Sequence, residues 1–237
     1  MGKIFYLLFI LCLSLNAEIG DLSFSESQIN SGNKIFSEMA AAVGDVSKIN
    51  NVQTIGKIQQ WFAYGSVSFN VYVTAIFPDK IKIKFQDKEY IINSGKGWRR
   101  YPKGYFENMP EKLIRFLSIN LNRNLINIIK FKTKYRIVYL GSQHFQGKNC
   151  DVVLLQNENF QMKTLIDKKS HLPVQMIYKN LETDEPEVFY RNIEKYADIN
   201  GIKYPVHTVT FDQNGEKICE IKLESVEFNV PVNEEEF

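Results

Sequence analysis

The chain has 237 residues, with 29 Lys and Arg against 27 Asp and Glu, which gives a formal net charge of +2. This length fits one domain, at most two. The 44% apolar content excludes an intrinsically disordered chain. The balanced charge argues against a dedicated nucleic-acid binder, because neutralising phosphates takes clustered excess cations. Aromatic residues make up 13% of the chain and favour strands.

The first residues have the pattern of an export signal. Lys3 precedes an apolar run, Ile4–Leu15, and Ala17 supplies the small residue that a signal peptidase requires. We therefore predict a cleavable signal peptide over residues 1–17 and an exported mature chain; an uncleaved anchor is the alternative. Cys12 does not predict lipidation, because the bulky residues 9–11 stand where small ones are needed. The remaining cysteines of the predicted mature chain, at positions 150 and 219, are interpreted as separate buried thiols; a disulfide between them, which an oxidising compartment permits, is the alternative.

Residues 18–32 are polar and are predicted to be a flexible N-terminal segment. From Asn33 onward apolar residues recur at helical spacing, and Gly44 is suited to end that helix. Alternating apolar and polar residues then predict successive strands. These strands cover residues 54–64, 67–77, 81–85, 88–93 and 98–101. The lysines at 80, 82 and 84 are expected to mark a solvent-exposed strand face.

The period changes between Asn108 and Lys130, where apolar residues recur every three or four positions, as in one or two amphipathic helices. Strands resume beyond this helical insertion. They are predicted over residues 136–143, 150–156, 161–167, 174–180, 188–196, 203–212 and 216–228. Asn200-Gly201 is a strong hairpin signal, because a type I′ turn needs positive φ at both positions. The acidic end, Glu234–Glu236, is expected to be solvated.

The predicted fold is mainly β: about eleven antiparallel strands in one meander, in a single domain over residues 33–237. A strongly twisted sheet of this size curls or closes. If it curls, its concave face must be filled, and the two helical segments cover only part of that face. The sequence therefore indicates an unclosed half-barrel with helices on the concave face and room for an apolar ligand.

Signals for catalysis are absent from the sequence. The three histidines, at positions 144, 171 and 207, are isolated, and neither a metal-binding spacing nor a serine-hydrolase elbow occurs. Gly95-Lys96-Gly97 is a turn without the following helix that a phosphate site needs. A spatial pair of carboxylates stays possible for a glycosidase. We expect no enzyme activity, no metal and no cofactor.

Several segments in succession resemble the LolA-like outer-membrane lipoprotein-sorting proteins of bacterial envelopes. The resemblance covers about residues 33 to 230 and rests on the order of its motifs. These are IFSEM at 35–39, AAVGD at 41–45, VQTIG at 52–56, FPDKI at 77–81, Gly97-Trp98, Tyr101-Pro102, YRNI at 190–193 and NGIKYP at 200–205. The resemblance implies an unclosed barrel with helices as a lid over an apolar cavity. It also implies a periplasmic location and lipoproteins or lipids as partners, together with an inner-membrane ATP-driven extractor and an outer-membrane receptor.

The alternation of the strands and the spacing of the helices predict which residues line such a cavity. The predicted lining is Phe69, Val71, Val73, Ile83, Phe85, Leu113, Phe116, Leu117 and Leu121. The alternative is that these nine side chains form a closed core without a ligand.

A monomeric periplasmic carrier of acyl chains is the leading hypothesis for function. An envelope sensor or interaction module on the same half-barrel is the second, and an enzyme is the third. No nucleic-acid partner is expected.

Overall fold

The computed structural model describes residues 23–157, 160–180 and 187–237, so the predicted signal peptide lies outside the described residues. Three α-helices and thirteen strands make up the described fold. In chain order they are α1 (Glu26–Val43), β1 (Asn51–Phe62), β2 (Gly65–Ile76), β3 (Lys80–Phe85), β4 (Lys88–Asn93), β5 (Lys96–Arg100), β6 (Phe106–Asn108), α2 (Glu111–Asn122), α3 (Leu125–Lys130), β7 (Arg136–Phe145), β8 (Lys148–Asn157), β9 (Phe160–Asp167), β10 (Pro173–Asn180), β11 (Glu187–Ile199), β12 (Ile202–Phe211) and β13 (Lys217–Phe228).

All thirteen strands belong to one antiparallel sheet with the order β6-β5-β4-β3-β2-β1-β13-β12-β11-β10-β9-β8-β7. The prediction of one continuous meander is therefore wrong. Two meanders are joined where β1 pairs with β13, and β6 and β7 are the two outer edges. The predicted count of about eleven strands is also low, since a three-residue strand such as β6 is too short to show alternation.

The helical insertion connects the two edges of this sheet. Because α2 and α3 follow β6 and precede β7, the chain must cross from one edge strand to the other. It does so over one face of the sheet, which we call the inner face. The predicted architecture is confirmed: a mainly β, unclosed half-barrel with helices on its inner face.

Helix α1 begins earlier than its apolar spacing predicts. The expected start was Asn33, but residues 26–32, predicted to be flexible, form the first turns of the helix. Ser25 explains the difference: its hydroxyl accepts a hydrogen bond from the Gln28 backbone, and the Gln28 side chain accepts one from the Ser25 backbone. Such a capping box stabilises a helix start without any apolar residue. Gly44 ends the helix as predicted, with φ 115°.

The main core lies between the helices and the inner face. Phe36, Met39 and Val43 of α1 are at most 2% exposed and contact the sheet, together with buried residues of α2 and α3. A smaller cluster lies on the outer face of β8–β10 and contains Cys150, which is a free thiol. Cys219 on β13 is also a free thiol, as the sequence indicated. The Asn200-Gly201 turn has positive φ at both positions, 53° and 85°, as predicted.

The acidic C-terminal residues are exposed, as predicted, and two of them also pair with lysines of the sheet. Glu234 and Glu236 lie in a short 3-10 turn. They form ion pairs with Lys80 and Lys82 at 2.7 and 2.5 Å. Alternate lysines on β3 thus bind the terminal turn, because their strand presents them on one face.

Candidate ligand-binding site

Two adjoining cavities lie on the inner face of the sheet. The central cavity, of about 210 Å³, lies between β1, β2, β10–β13 and the start of α3. The hairpin cavity, of about 290 Å³, lies beside the end of the β1–β2 hairpin and is bordered by α2. Asn120, Arg123 and Arg191 line both cavities. Their combined size falls within the range of small-molecule sites, which is about 300–1,000 Å³.

The wall of the central cavity is mainly aliphatic because the pairing of strands places like side chains side by side. Ile58 on β1 is opposite Ile221 on β13, and both line the cavity. Val71 and Val73 continue this surface on β2, and Ile193 continues it on β11. Residues opposite each other in an antiparallel pair point to the same face. Pairing of β1 with β13 therefore makes one apolar surface from both meanders.

Two arginines stand at the boundary between the cavities. Arg123, at the end of α2, is 6% exposed, and its guanidinium lies 3.7 Å from the centre of the Tyr178 ring. Arg191, on β11, lies over the same ring at 5.4 Å, and its Nε is 3.5 Å from the hydroxyl oxygen of Thr210. Such cation–π contacts stabilise partly desolvated guanidinium groups.

The hairpin cavity also contains a thiol. Burial raises the pKa of Cys219, and the positive charge of Arg191 partly offsets that rise. A thiol with a raised pKa stays protonated at neutral pH and is a poor nucleophile. Cys219 therefore acts here as a small apolar wall residue.

Polar side chains tie α3 to the sheet at the inner end of the central cavity. Asn124 caps α3 by accepting from the Ile126 backbone, and its amide donates to the Tyr204 hydroxyl at 3.0 Å. Burial raises the pKa of Tyr204 to about 12, so its hydroxyl stays neutral. Asn127 donates to the Pro78 carbonyl at 3.2 Å, and this bond joins α3 to the connection between β2 and β3. The end of the insertion is thus fixed by buried hydrogen bonds.

The nine predicted lining residues share the inner side of the fold but divide among three surroundings. Val71 and Val73 line the central cavity, and Phe116 lines the hairpin cavity. Leu121 is buried in the main core, where Ile83, Leu113 and Leu117 pack against it. Phe69 and Phe85 form a ring pair at 4.5 Å, and Phe85 stacks on Tyr90. Their role in binding stays a prediction.

Sequence reasoning missed the half of the site that comes from β10–β13. The missed residues include Arg191, which alternates with Phe189 and Ile193 on the inner face. A single arginine at a strand position where the residues two before and two after it are apolar could have indicated a cation on the inner face. Arg123 carried no comparable signal, because its position depends on where α2 ends.

The remaining polar cluster of interest lies on the outer face. Glu220 precedes Ile221, and neighbouring strand residues point to opposite faces. Its carboxylate bonds Lys217, Lys222 and His207 at 2.7, 2.8 and 2.7 Å. The hydrogen bonds from Lys217 and Lys222 lower the pKa of Glu220 to about 2. The carboxylate of Glu220 is thus fully engaged by its neighbours on the outer face. Over the described ranges, no group of three or more His, Cys, Asp or Glu side chains could hold a metal ion.

Solved structures with the same fold are known. A LolA superfamily protein from Nitrosomonas europaea matches with a TM-score of 0.60 and 9% identity, over 85% of this chain and 94% of that one. A domain described as an outer membrane lipoprotein-sorting protein from Vibrio parahaemolyticus matches with a TM-score of 0.61 and 12% identity, over 88% and 96%. A DUF1329 family protein from Desulfovibrio piger gives 0.65 and 12%, over 87% and 95%.

The chain therefore has a LolA-like fold, as its sequence motifs implied. No family model matches the sequence. No curated protein matches it either. At 9–12% identity the likeness concerns the fold. Helices long and apolar enough to cross a membrane do not occur in the part of the chain that the structure describes.

Proposed function

We propose that this protein is an exported carrier that binds the acyl chains of lipoproteins or lipids in its two cavities. It would take them up at the inner membrane and deliver them towards the outer membrane. The predicted signal peptide supports release into the periplasm. An ATP-driven extractor and an outer-membrane receptor are the partners that a soluble monomeric carrier would need. The function requires no catalysis, metal or cofactor.

The observation that carries the proposal is the incompletely filled inner face. Helices α1–α3 cover part of this face, yet two adjoining cavities with mainly apolar walls remain between the sheet, α2 and the start of α3. Each methylene transferred from water into such a cavity contributes about 0.8 kcal/mol. Partial insertion of an acyl chain therefore gives substantial affinity without any directional contact.

Helix α2 provides a reversible cover. Among its residues only Leu121 is buried, and Phe116 at the hairpin cavity is 39% exposed. A cover held by few buried side chains can move at a small cost in free energy, so a longer chain can enter beneath it. The fixed α3 would act as the stationary end of this movement.

The binding site is tested with a pair of neighbouring substitutions on β2. Val73 lines the central cavity, whereas Tyr72 points to the opposite face and is 48% exposed. In Val73→Glu a carboxylate enters the apolar cavity, and we expect fluorescent fatty-acid binding to weaken at least about tenfold, since burying a charge is costly. In Tyr72→Glu the charge stays in water, and binding should be unchanged. Titration of the mature protein measures both.

Circular dichroism and thermal unfolding establish that each variant is folded. If Val73→Glu does not fold, Val73→Thr has nearly the same shape and places a hydroxyl in the same position. If the wild-type protein does not bind the fluorescent fatty acid, the proposal is wrong. Equal binding by the two glutamate variants would show that the chain binds elsewhere.

Transport and sensing are separated in the host. Depletion of a carrier should leave lipoproteins at the inner membrane, where membrane fractionation detects them. An altered envelope stress response with normal lipoprotein distribution would instead favour a sensor and contradict carriage.

A further inference from the structure

Two guanidinium groups lie in an otherwise mainly apolar binding site. Arg123 and Arg191 line both cavities. Their guanidinium carbons lie 3.7 and 5.4 Å from the centre of the same aromatic ring, that of Tyr178. A site that binds only hydrocarbon gains nothing from cations there. We propose that the ligand is an anionic amphiphile whose carboxylate or phosphate head group binds at Arg191 while its chain occupies the central cavity. This inference rests on the proposed function and adds the head-group chemistry.

The surroundings of Arg191 carry the inference. Across the sheet it is opposite Met176 on one side and Thr210 on the other. Its Nε donates to the Thr210 hydroxyl at the long distance of 3.5 Å. Among the residues whose side chains the structure describes, 23–157, 161–179 and 188–237, no carboxylate lies within 4.0 Å of its guanidinium, whereas nine ion pairs of Lys or Arg with Asp or Glu form there. A half-buried cation with so little compensation is stabilised when a ligand supplies the negative charge.

The composition of the cavity walls agrees with this charge. Neither cavity has an Asp or Glu among its described lining residues. Glu220 is close in sequence to the lining residues Cys219 and Ile221, but it points to the outer face and is engaged by Lys217 and Lys222. The local field in the cavities is therefore positive, and it favours anions over cations and neutral groups.

The arrangement also separates head group from chain. The apolar wall of Ile58, Val71, Val73 and Ile221 begins on one side of Arg191. The hairpin cavity, with the 61% exposed Phe62, lies on the other side. A guanidinium donates through a planar fork that matches the two oxygens of a carboxylate or phosphate. A ligand whose acyl chain occupies the central cavity would thus place its anionic head group at the Arg191 guanidinium. Any larger polar group attached to that head group would extend towards the hairpin cavity.

The experiment compares ligands of equal chain length but different head group. Calorimetric titration of the full mature protein uses dodecanoate, dodecyl phosphate, dodecanol and dodecyltrimethylammonium. We expect the two anions to bind at least about tenfold more tightly than dodecanol, as charge-assisted hydrogen bonds in a desolvated site do. The cation should bind most weakly. Arg191→Met should remove the preference, so that dodecanoate, dodecyl phosphate and dodecanol bind the variant with affinities within about twofold of one another.

A matched control is available on the surface of α2. Arg115 is 59% exposed at its side chain and pairs with Glu111, away from both cavities. Arg115→Met removes the same charge from the protein and should keep the preference for anions. If Arg191→Met does not fold, Arg191→Lys keeps the charge without the planar fork and should reduce the preference for the phosphate.

The outcomes distinguish this inference from the proposed function. Equal affinity of the wild type for dodecanol and the anions would overturn the inference and leave acyl-chain binding intact. Absence of binding for all four ligands would overturn both. Inorganic phosphate alone is the remaining probe. If it displaces bound dodecanoate as strongly as dodecyl phosphate does, the site binds the free anion, and the inference of an amphiphilic ligand is wrong. An unchanged preference in Arg191→Met would also overturn the inference.

Discussion

Helices α1 and α2 both cover the inner face, but they are held there in different ways. Helix α1 is capped by a reciprocal box at Ser25 and buries Gly32, Phe36, Met39 and Val43. Helix α2 has Pro110 at its start without a side-chain cap and buries only Leu121. Each large apolar side chain that is fully buried contributes about 1.5–3 kcal/mol. Helix α1 is therefore held by more fully buried side chains than α2, and we expect α2 to leave the sheet more readily than α1.

A large loss of stability is expected from a substitution that disturbs the docking of α1. A Cβ atom on Gly32 would lie 2.8 Å from the backbone nitrogen of Tyr139 and 2.9 Å from the backbone of Val138. The backbone of β7 is held by its strand pairing and cannot move away from an added side chain. Gly32→Val should therefore lower the free energy of unfolding by about 3 kcal/mol, which is the upper end of the range for overpacking substitutions. Denaturant-induced unfolding measures this loss.

The matched control is Asn30→Val, which introduces the same side chain at an exposed position of the same helix. It should cost no more than the difference in helix propensity, under about 0.7 kcal/mol. Equal stability of the two variants would mean that α1 is not seated on β7 as closely as we describe.

A smaller and more local effect is expected for α2. A Cβ atom on Gly97 would lie 2.6 Å from Met109 Cε and 2.7 Å from Ile114 Cγ1. Both atoms belong to side chains and not to the backbone of the sheet, so Met109 can change its rotamer and α2, which carries Ile114, can shift. Gly97→Val should lower the free energy of unfolding by about 1–2 kcal/mol. Hydrogen exchange should become faster in α2 while the amides of α1 still exchange only on global unfolding.

Lys96→Val is the control, since the neighbouring Lys96 is exposed. Faster exchange in α1 and α2 by the same factor would show that the two helices unfold as one unit. That result would remove the distinction between core helix and cover.

Local pattern predicted most of the elements but not how they are joined. The alternation from Val67 to Phe77 and the change of period at Asn108 reproduce β2 and the helical insertion to within a few residues. The pairing of β1 with β13 joins segments about 170 residues apart, for example Val52 with Phe228. No local periodicity encodes such a partner, because alternation gives the face of a strand and not its neighbour.

The same limit explains the partial prediction of the site. Val71 and Val73 were found because their strand alternates clearly. Ile221 and Arg191 come to the same cavity only through the pairing of β1, β13, β12 and β11. By contrast, the early start of α1 was readable: Ser25 and Gln28 have the spacing of a capping box.

Two substitutions within α2 itself should differ in their effect on stability. Phe116 is 39% exposed and lines the hairpin cavity, whereas Leu121, five residues later, is 4% exposed in the core. Phe116→Ala should lower the free energy of unfolding by about 1–2 kcal/mol, because the residue is 39% exposed and only part of a fully buried ring's contribution is lost. Leu121→Ala should cost about 2–5 kcal/mol, as buried leucines do. Thermal and denaturant unfolding of the two variants measures the difference.

Binding should respond to these two substitutions in a different way. Loss of the Phe116 ring removes part of the hairpin cavity wall, so acyl-chain affinity should fall several-fold, or about 1 kcal/mol, although the fold is intact. Leu121→Ala should affect affinity mainly through the fraction of folded protein, and affinity corrected for that fraction should stay near the wild-type value. If Phe116→Ala instead destabilised the protein as much as Leu121→Ala, α2 would be held as firmly as α1 and would not be a removable cover. A helix that is held by one fully buried side chain and a few partly buried ones, and that presents Phe116 to the hairpin cavity, would suit the uptake and release that the proposed carrier requires.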